Sequence, residues 1–288
     1  MNWGLSLLVF GGACLCAHAA VLPEYRAVRN CAACHTQAKT HPMTPMAHAL
    51  ESVAECSILK DHPRMTFSYG PYSYVIERQG DRSIYSVTDG QHTIRAPVGW
   101  AFGLGNAGQT YVFENDGVLY ESRVSYFKDV NGLDWTLGAN TQKPNDLITA
   151  AGRPLGDDKV ACFQCHATNA AEHRQLTLEK MIPGVQCERC HGPTEKHLEG
   201  LRTGDKTLAA MKSLKTLSTE ELSNFCGQCH RTWAQIQLEG HFGITDVRYQ
   251  PYRLTNSKCY DAEDSRISCV SCHDPHAEIH RNAASYDA

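Results

Sequence analysis

The pattern Cys-x-x-Cys-His occurs five times in this chain of 288 residues, which contains 14 cysteines and 15 histidines. Two thiols three positions apart can each add to one vinyl group of the same porphyrin, and the histidine that follows is then held against the iron as its proximal ligand. The pattern therefore predicts five covalently attached haem c groups. In chain order, motifs 1 to 5, which carry haems 1 to 5, are Cys31/Cys34/His35, Cys162/Cys165/His166, Cys187/Cys190/His191, Cys226/Cys229/His230 and Cys269/Cys272/His273.

Zinc sites and disulfides are the other structures that paired cysteines build. The 21 residues between Cys165 and Cys187 place these pairs just beyond zinc-ribbon spacing, and zinc would leave the trailing histidines without a role. A disulfide scaffold explains no more, because 10 of the 14 cysteines lie inside the motifs. Haem attachment accounts for the pattern better than either alternative.

Each haem also needs a ligand on the face opposite its proximal histidine. His197 and His276 follow the proximal histidines of motifs 3 and 5 so closely that they would have difficulty reaching around their own porphyrins, so we expect them to bind neighbouring haems. For haem 1 we expect His48 ahead of Met46, although His41 and Met43 are also close in sequence. Further candidate ligands are His241 and His173, followed by His62, His92 and His280. Candidate partners for haem propionates are Arg123, Arg248 and Arg253.

The first 20 residues are typical of a secretory signal. They contain no charged side chain, are apolar from Trp3 to Cys16 and end in small residues. We expect cleavage after Ala19, so that residues 1–19 are removed, with export to the periplasm or the extracellular space. No later stretch reaches the ~20 apolar residues of a membrane span, so a transmembrane segment in the mature chain is not expected. Cys56 and Cys259 would then be the two cysteines outside the motifs, and they could form a disulfide.

The composition and net charge of the chain limit the classes of partner that it can bind. Apolar residues make up 42% of the chain, a low share that suits a protein whose porphyrins supply part of the core. The net charge is −4, and haem propionates would add negative charge. We therefore expect no nucleic acid partner and instead basic redox partner proteins, other cytochromes among them.

The predicted fold class is α+β. An N-terminal segment, residues 20–63, carries haem 1 and includes a short helix at residues 46–54. Residues 64–150 form an antiparallel β domain, and residues 151–288 form a multihaem domain of short helices and loops with haems 2–5. In the last part, Ser218 and Glu221 form a capping box that predicts a helix leading into motif 4, with Leu217 and Leu222 placed as a hydrophobic staple.

The β domain is predicted from alternating β-branched and aromatic runs that would form about six strands. Asp89-Gly90 and Asp116-Gly117 are hairpin signals. Gly103, Gly105 and Gly108 spell the dinucleotide pattern G-x-G-x-x-G, but a strand follows where a helix is needed, so we predict a tight bend or a close backbone approach instead. Alternation defines a hydrophobic face without a cofactor, so replacing residues 64–140 should leave haem attachment at motifs 2–5 intact.

The residues around motifs 3 and 5 resemble a known family. CERCHGPTEKH, residues 187–197, is similar to the C-x-x-C-H-G-P-x-x-x-H motif of multihaem cytochromes related to cytochrome c-554 and hydroxylamine oxidoreductase, and CVSCHDPH, residues 269–276, has the C-H-x-P-H ending frequent among them. The resemblance covers residues 160–277 and, more loosely, 31–50. It implies that His197 is a distal ligand to another haem, and it implies paired haem stacks and electron transfer. The β insert and the region around His48 depart from the family pattern.

The sequence therefore predicts a periplasmic or extracellular pentahaem cytochrome that transfers electrons through closely packed haems. One alternative is an oxidoreductase that acts on a small nitrogen or sulfur compound at an open haem. Another is a subunit of a cytochrome filament, a homo-oligomer or a redox complex that docks through exposed hairpin edges. All five motifs end in histidine, and spare histidines outnumber the haems, which favours the electron carrier.

Overall fold

A computed structural model describes residues 31–139, 143–239, 250–261, 263–264, 266–278, 282 and 284. Within them the chain combines a large antiparallel sheet with short helices, which confirms the predicted α+β class. The predicted signal, residues 1–19, lies outside the described residues.

The main sheet is an antiparallel meander with one strand added at each of two places. Strands β2 to β8 pair in sequential order, β1 pairs with β5 and β9 pairs with β7. Residues 64–135 thus form seven strands where the alternation predicted about six. The nine strands are β1 (Leu50–Ser52), β2 (Arg64–Tyr69), β3 (Tyr72–Gln79), β4 (Arg82–Thr88), β5 (Thr93–Phe102), β6 (Gln109–Asn115), β7 (Val118–Phe127), β8 (Gly132–Trp135) and β9 (Gly152–Pro154).

The turns between strands follow the sequence signals. Gly90 has φ 92° in the β4–β5 hairpin, and Asp116 and Gly117 have φ 50° and 76° between β6 and β7, the positive pair that a type I′ turn requires. The G-x-G-x-x-G stretch lies between β5 and β6, where a Cβ on Gly103 would come within 2.7 Å of the Gly108 carbonyl oxygen. The predicted hairpins are confirmed, and the three glycines form the predicted tight bend.

Alternate side chains of the meander form the larger core. Across the β3–β4 ladder Tyr74 faces Val87 and Ile76 faces Tyr85, and all four are buried. Such cross-strand pairs stabilise a sheet because the two side chains of a pair pack against each other. Burying one large apolar side chain contributes about 1.5–3 kcal/mol. Because several such side chains are buried between its own strands, the meander has a core of its own.

Residues 46–54 do not form the predicted helix. Leu50 and Ser52 instead lie opposite Phe102 and Trp100 in the β1–β5 ladder. The reason is tertiary: β1 supplies backbone hydrogen bonds to β5, and this pairing outweighs a helix propensity worth a few tenths of a kcal/mol per residue.

The rest of the chain is built from short elements. No helix among the described residues is long and apolar enough to cross a membrane. The helices are α1 (Gln37–Thr40), α2 (Ser57–Asp61), α3 (Leu147–Ala151), α4 (Asp158–His166), α5 (Cys187–His191), α6 (Glu195–Thr203), α7 (Thr219–His230), α8 (Trp233–Glu239), α9 (Gln250–Thr255) and α10 (Cys269–Cys272), with a 3-10 turn at His41–Met43. The small strands are β10 (Ala167–Thr168), paired with β13 (Ile182–Pro183), and β11 (Ala171–Glu172), paired with β12 (Gln175–Leu176).

The sheet and the helix that carries motif 2 share a second core. Phe163 of α4 is fully buried, and its ring packs edge-on against Trp100 at 5.2 Å and Phe102 at 5.0 Å between centroids. Leu50 and Met181 complete this cluster. Removing the sheet would expose Phe163, so α4 depends on the sheet for its packing. Haem attachment at motif 2 is a separate matter, because it needs only the residues of the motif.

Candidate haem-binding centre

Local backbone geometry brings the reactive side chains of each motif together. Motif 2 ends α4, motif 3 forms α5, motif 4 ends α7 and motif 5 begins with α10, while motif 1 lies in a turn closed by a 2.8 Å hydrogen bond from the His35 N–H to the Cys31 carbonyl. Positions i, i+3 and i+4 of a helical turn share one face. Both thiols and the imidazole of a motif can therefore reach one side of a single porphyrin.

The ten motif cysteines differ in their surroundings, although the sequence pattern treats them alike. Cys34 of motif 1 and Cys272 of motif 5 are exposed, whereas the other eight are partly buried. Cys34 lies in a turn, where its N–H donates to the Cys31 carbonyl at 3.1 Å. Attachment of haem 1 through Cys34 stays a prediction that rests on the motif.

The helix of motif 4 begins where the sequence predicted. The Glu221 N–H donates to Ser218 Oγ at 3.2 Å, and the Ser218 N–H donates to Glu221 Oε2 at 2.8 Å. These bonds satisfy two of the backbone donors that every helix start leaves open, and they hold the pKa of Glu221 below its usual value. The predicted capping box is confirmed, and α7 runs from it to His230.

Three histidines of the motif region donate through Nδ1 to a backbone carbonyl. Because a carbonyl oxygen only accepts, Nδ1 carries the proton and Nε2 keeps the lone pair, which is the tautomer that binds iron. The three contacts are His166 Nδ1 to Ala49 O (2.8 Å), His191 Nδ1 to Lys212 O (3.0 Å) and His197 Nδ1 to Ala209 O (2.6 Å).

Two pairs of imidazole rings from different motif regions lie close together. The rings of His35 and His197 are 6.3 Å apart between centroids and tilted by 39°, and those of His191 and His276 are 6.0 Å apart and nearly parallel at 15°. Two ligand nitrogens about 2 Å from one metal, with ring centroids about 1 Å further out, would put the centroids about 6 Å apart. The separations therefore fit one iron between the rings of each pair.

Each pair joins a motif histidine to one of the two spare histidines that the spacing singled out. His197 follows motif 3 but faces His35 of motif 1, whereas His276 follows motif 5 but faces His191 of motif 3. Neither lies against the proximal histidine of its own motif in the described part of the chain. The rings therefore lie where the predicted crossed ligation would need them, and the ligation itself stays a prediction.

The structure does not support His48 as the distal ligand of haem 1. Its Nδ1 lies 2.8 Å from Glu51 Oε1, and its Nε2 donates to the Pro42 carbonyl at 2.7 Å. The hydrogen bond to Glu51 raises the pKa of His48 against the opposing effect of burial. An imidazolium with both nitrogens engaged has no lone pair for iron. The imidazole ring that lies beside His35 is that of His197, 6.3 Å away between centroids.

The other sequence candidates lie elsewhere. His173 is exposed in the turn between β11 and β12, the His62 ring packs on Tyr126 of β7, and His92 is exposed beside Asp89. Arg123 belongs to the sheet, where it lies 5.4 Å from the centre of the Trp135 ring. Arg253 is an exposed residue of α9. Candidates outside the described residues are His241, His280 and Arg248.

His41 is a residue whose position the sequence spacing did not distinguish. It is only 6% exposed, and its Nδ1 has no hydrogen-bond partner among the described residues. Burial lowers the pKa of His41, and the nearby His276 and His191 lower it further. A neutral, buried imidazole therefore lies beside the second histidine pair.

Cysteines of different motifs lie close together. Hydrogen bonding to Cys229 raises the pKa of Cys165, and the pKa of Cys229 falls in turn. The same coupling joins Cys226 of motif 4 to Cys269 of motif 5. Burial, followed by the effect of Cys31, raises the pKa of Cys187 to about 11. Motif 4 is thus adjacent to motifs 2 and 5, and motif 1 is adjacent to motif 3.

A cleft of about 550 Å³ lies between elements of the motif 3 region. It is lined by one member of each pair, His191 and His197, together with Lys196 and Lys212. Asp205 also lines the cleft, so its two lysines exceed its one carboxylate, and this net positive charge suits the propionates of a haem.

Cys56 and Cys259 are both free thiols, so the structure does not pair them as a disulfide. Cys56 is fully buried in the sheet core and donates to Gln109 Oε1 at 3.3 Å, whereas Cys259 is exposed. Burial raises the pKa of Cys56 to about 11, and the thiolate is the reactive form. We expect iodoacetamide at pH 8 to label Cys259 alone in the folded protein and both cysteines in denaturant, as measured by peptide mass. Equal labelling without denaturant would contradict the buried position of Cys56.

Comparisons with known proteins agree with this centre. The family model described as Cytochrome c554 and c-prime matches residues 137–192, which include motifs 2 and 3. The multiheme cytochrome MtrA of Shewanella baltica (strain OS185) is 26% identical over 132 residues, which cover 43% of this chain and 32% of the relative. The match thus spans about a third of the length of that curated relative, and no solved structure matches. Over the matched residues the chain is therefore similar to multihaem c-type cytochromes.

Proposed function

We propose that this chain is an exported pentahaem c-type cytochrome that passes electrons between redox partner proteins. Its relation to multihaem cytochromes supports electron transfer. The observation that carries the proposal is the two pairs of imidazole rings, 6.3 and 6.0 Å apart between centroids, because the two rings of each pair would hold one haem iron between them.

The residues of the chain fit haem c as its cofactor. When bound, haem supplies one-electron iron chemistry. His35 and His197 would hold haem 1 from both faces, and His191 and His276 would hold haem 3. The carbonyl oxygens that accept from His191 and His197 fix each ring with Nε2 available to iron. For haems 2, 4 and 5 the proximal ligands would be His166, His230 and His273, and His241 remains a candidate for one distal position.

The adjacency of the motifs supports transfer within the molecule. Contacts between cysteines connect motif 1 to motif 3, motif 2 to motif 4 and motif 4 to motif 5. Arg189 of motif 3 lies 3.9 Å from Cys229, which connects motif 3 to motif 4. The chain would therefore hold five attachment sites in one connected cluster, with motif 4 at its centre.

The compartment and partners follow from the sequence features. An uncharged, apolar N-terminus supports export to the periplasm or the extracellular space, where haem c is attached. A net charge of −4 before the propionates are counted supports basic or cytochrome partners, which would be attracted over distances near the Debye length.

Intact mass under denaturing conditions tests the haem count and the signal together. We expect the mass of residues 20–288 plus five haems, because thioether bonds survive denaturation. Four haems or fewer would contradict the five-site proposal, and a retained N-terminus would contradict the export signal.

Addition of exogenous ligands separates the carrier from a catalytic cytochrome. A carrier keeps its irons six-coordinate, whereas an enzyme leaves one position open for its substrate. We expect low-spin signals alone in the low-temperature electron paramagnetic resonance spectrum, unchanged by nitrite, hydroxylamine or sulfite. A substantial high-spin signal that responds to one of these ligands would favour the oxidoreductase instead.

A further inference from the structure

Arg189 lies where three haem-attachment motifs meet. It is the residue before Cys190 in motif 3, on α5, and its side chain is half-buried. Its Nη2 donates to Cys229 Sγ of motif 4 at 3.9 Å, and its Nε donates to the carbonyl of Gln164, inside motif 2, at 3.5 Å. Both bonds are long, but they place one guanidinium against three attachment sites.

The charge of this guanidinium has no counter-ion among the described residues. Its hydrogen bonds in that part of the chain go to a sulfur and a carbonyl, and no carboxylate pairs with it. The adjacent Glu188 instead accepts from the Thr194 N–H at 3.0 Å and from Asn169. An arginine keeps its proton at any physiological pH, so a permanent positive charge faces motifs 2, 3 and 4.

A fixed positive charge near a haem iron makes reduction of that iron more favourable. A ferric iron that takes up one electron loses one unit of positive charge, so a fixed cation nearby favours the ferrous state. At a separation of about 10 Å and an effective dielectric constant of about 20, Coulomb's law gives a change of roughly tenfold in the reduction equilibrium. For a one-electron couple, tenfold corresponds to about 59 mV.

We propose that Arg189 raises the reduction potentials of haems 2, 3 and 4 together and so makes the middle of the cluster the place where electrons reside. The inference rests on the proposed function, because it requires haems at these motifs. Arg189 is a positioning and tuning residue here, since it contacts the attachment sites and is not a ligand. Motifs 1 and 5 lack a contact with it in the described structure.

Potentiometric titration of the mature protein tests the inference, with dithionite as reductant, ferricyanide as oxidant and optical absorption as the readout. Arg189→Gln should lower the potentials of about three of the five haems by roughly 59 mV, a tenfold change, and leave two unchanged. Arg189→Lys keeps the charge, so the reduction equilibria of its haems should stay within a factor of about three of those of the wild type. The matched control is Arg202→Gln, which removes an exposed charge paired with Glu199 on α6; we expect no shift.

The outcomes are distinguishable. Unchanged potentials in Arg189→Gln with five haems attached would overturn the inference and leave the proposed function standing. An equal fall at all five haems would also overturn it, because the effect would not be local. If Arg189→Gln failed to mature, Arg189→Lys would decide the question. Potentials lowered by roughly 59 mV in Arg189→Lys, a tenfold change, would refute the role of charge, because lysine keeps the charge. Wild-type potentials in Arg189→Lys would support it. Fewer than five haems on the wild type would instead contradict the proposed function.

Discussion

Replacing either His197 or His276 with alanine should convert one of the five haems from low spin to high spin while all five stay attached. Each substitution removes one ring of a facing pair, 6.3 Å from His35 or 6.0 Å from His191, and leaves the motif itself intact. Thioether bonds need only the two cysteines and the proximal histidine of the motif, so attachment should survive. The affected haem should be haem 1 in His197→Ala and haem 3 in His276→Ala.

Low-temperature electron paramagnetic resonance measures the spin state, and denaturing mass confirms the haem count. His48→Ala and His173→Ala are matched controls, because His48 has both nitrogens engaged and His173 is exposed in a turn. We expect both controls to keep the wild-type spectrum. A high-spin haem in His48→Ala together with an unchanged His197→Ala would restore His48 as the ligand of haem 1. Unchanged spectra in both His197→Ala and His276→Ala would refute the crossed ligands.

Replacing Phe163 with alanine should cost about 3–5 kcal/mol of stability, the range for an aromatic side chain removed from a packed core. Phe163 is fully buried between Trp100 and Phe102, so its loss leaves a cavity between the sheet and the helix of motif 2. The free energy of unfolding in guanidinium chloride measures this cost. Leu238→Ala is a control at a site that is 88% exposed, where we expect a change within about 0.5 kcal/mol.

A double-mutant cycle with Phe102→Ala tests whether the loss comes from this contact. Residues in contact should show an interaction energy of about 0.5–3 kcal/mol, whereas independent sites add. A loss below about 1 kcal/mol for Phe163→Ala, or simple additivity with Phe102→Ala, would show that α4 does not depend on the sheet. The β domain would then be as separable as its alternating pattern predicts.

Features that depend on neighbouring residues were readable from the sequence. A capping box such as Ser218 and Glu221 spans three positions, and a type I′ turn at Asp116-Gly117 spans two, so the bonds that define them form wherever the residues occur. The haem-attachment motifs are local in the same sense, because both thiols and the histidine fall within one helical turn. Alternation along each strand likewise needs only the period of the backbone, which is why the antiparallel sheet was predictable.

Features that join distant residues were decided by the tertiary structure. Spacing predicted that His197 and His276 bind haems other than those of their own motifs, but only the fold places them near His35 and His191. Tertiary contacts also made residues 50–52 a strand beside β5 and gave both nitrogens of His48 hydrogen-bond partners. They left Cys34 exposed, buried Cys56 in the sheet and placed Arg189 against motifs 2 and 4. Local propensities are worth tenths of a kcal/mol per residue, whereas burial and strand pairing are worth several per contact. Where the two compete, the packing of distant segments prevails. The sequence by itself therefore determined the attachment chemistry that each motif predicts, whereas the tertiary structure determined which motifs lie next to each other.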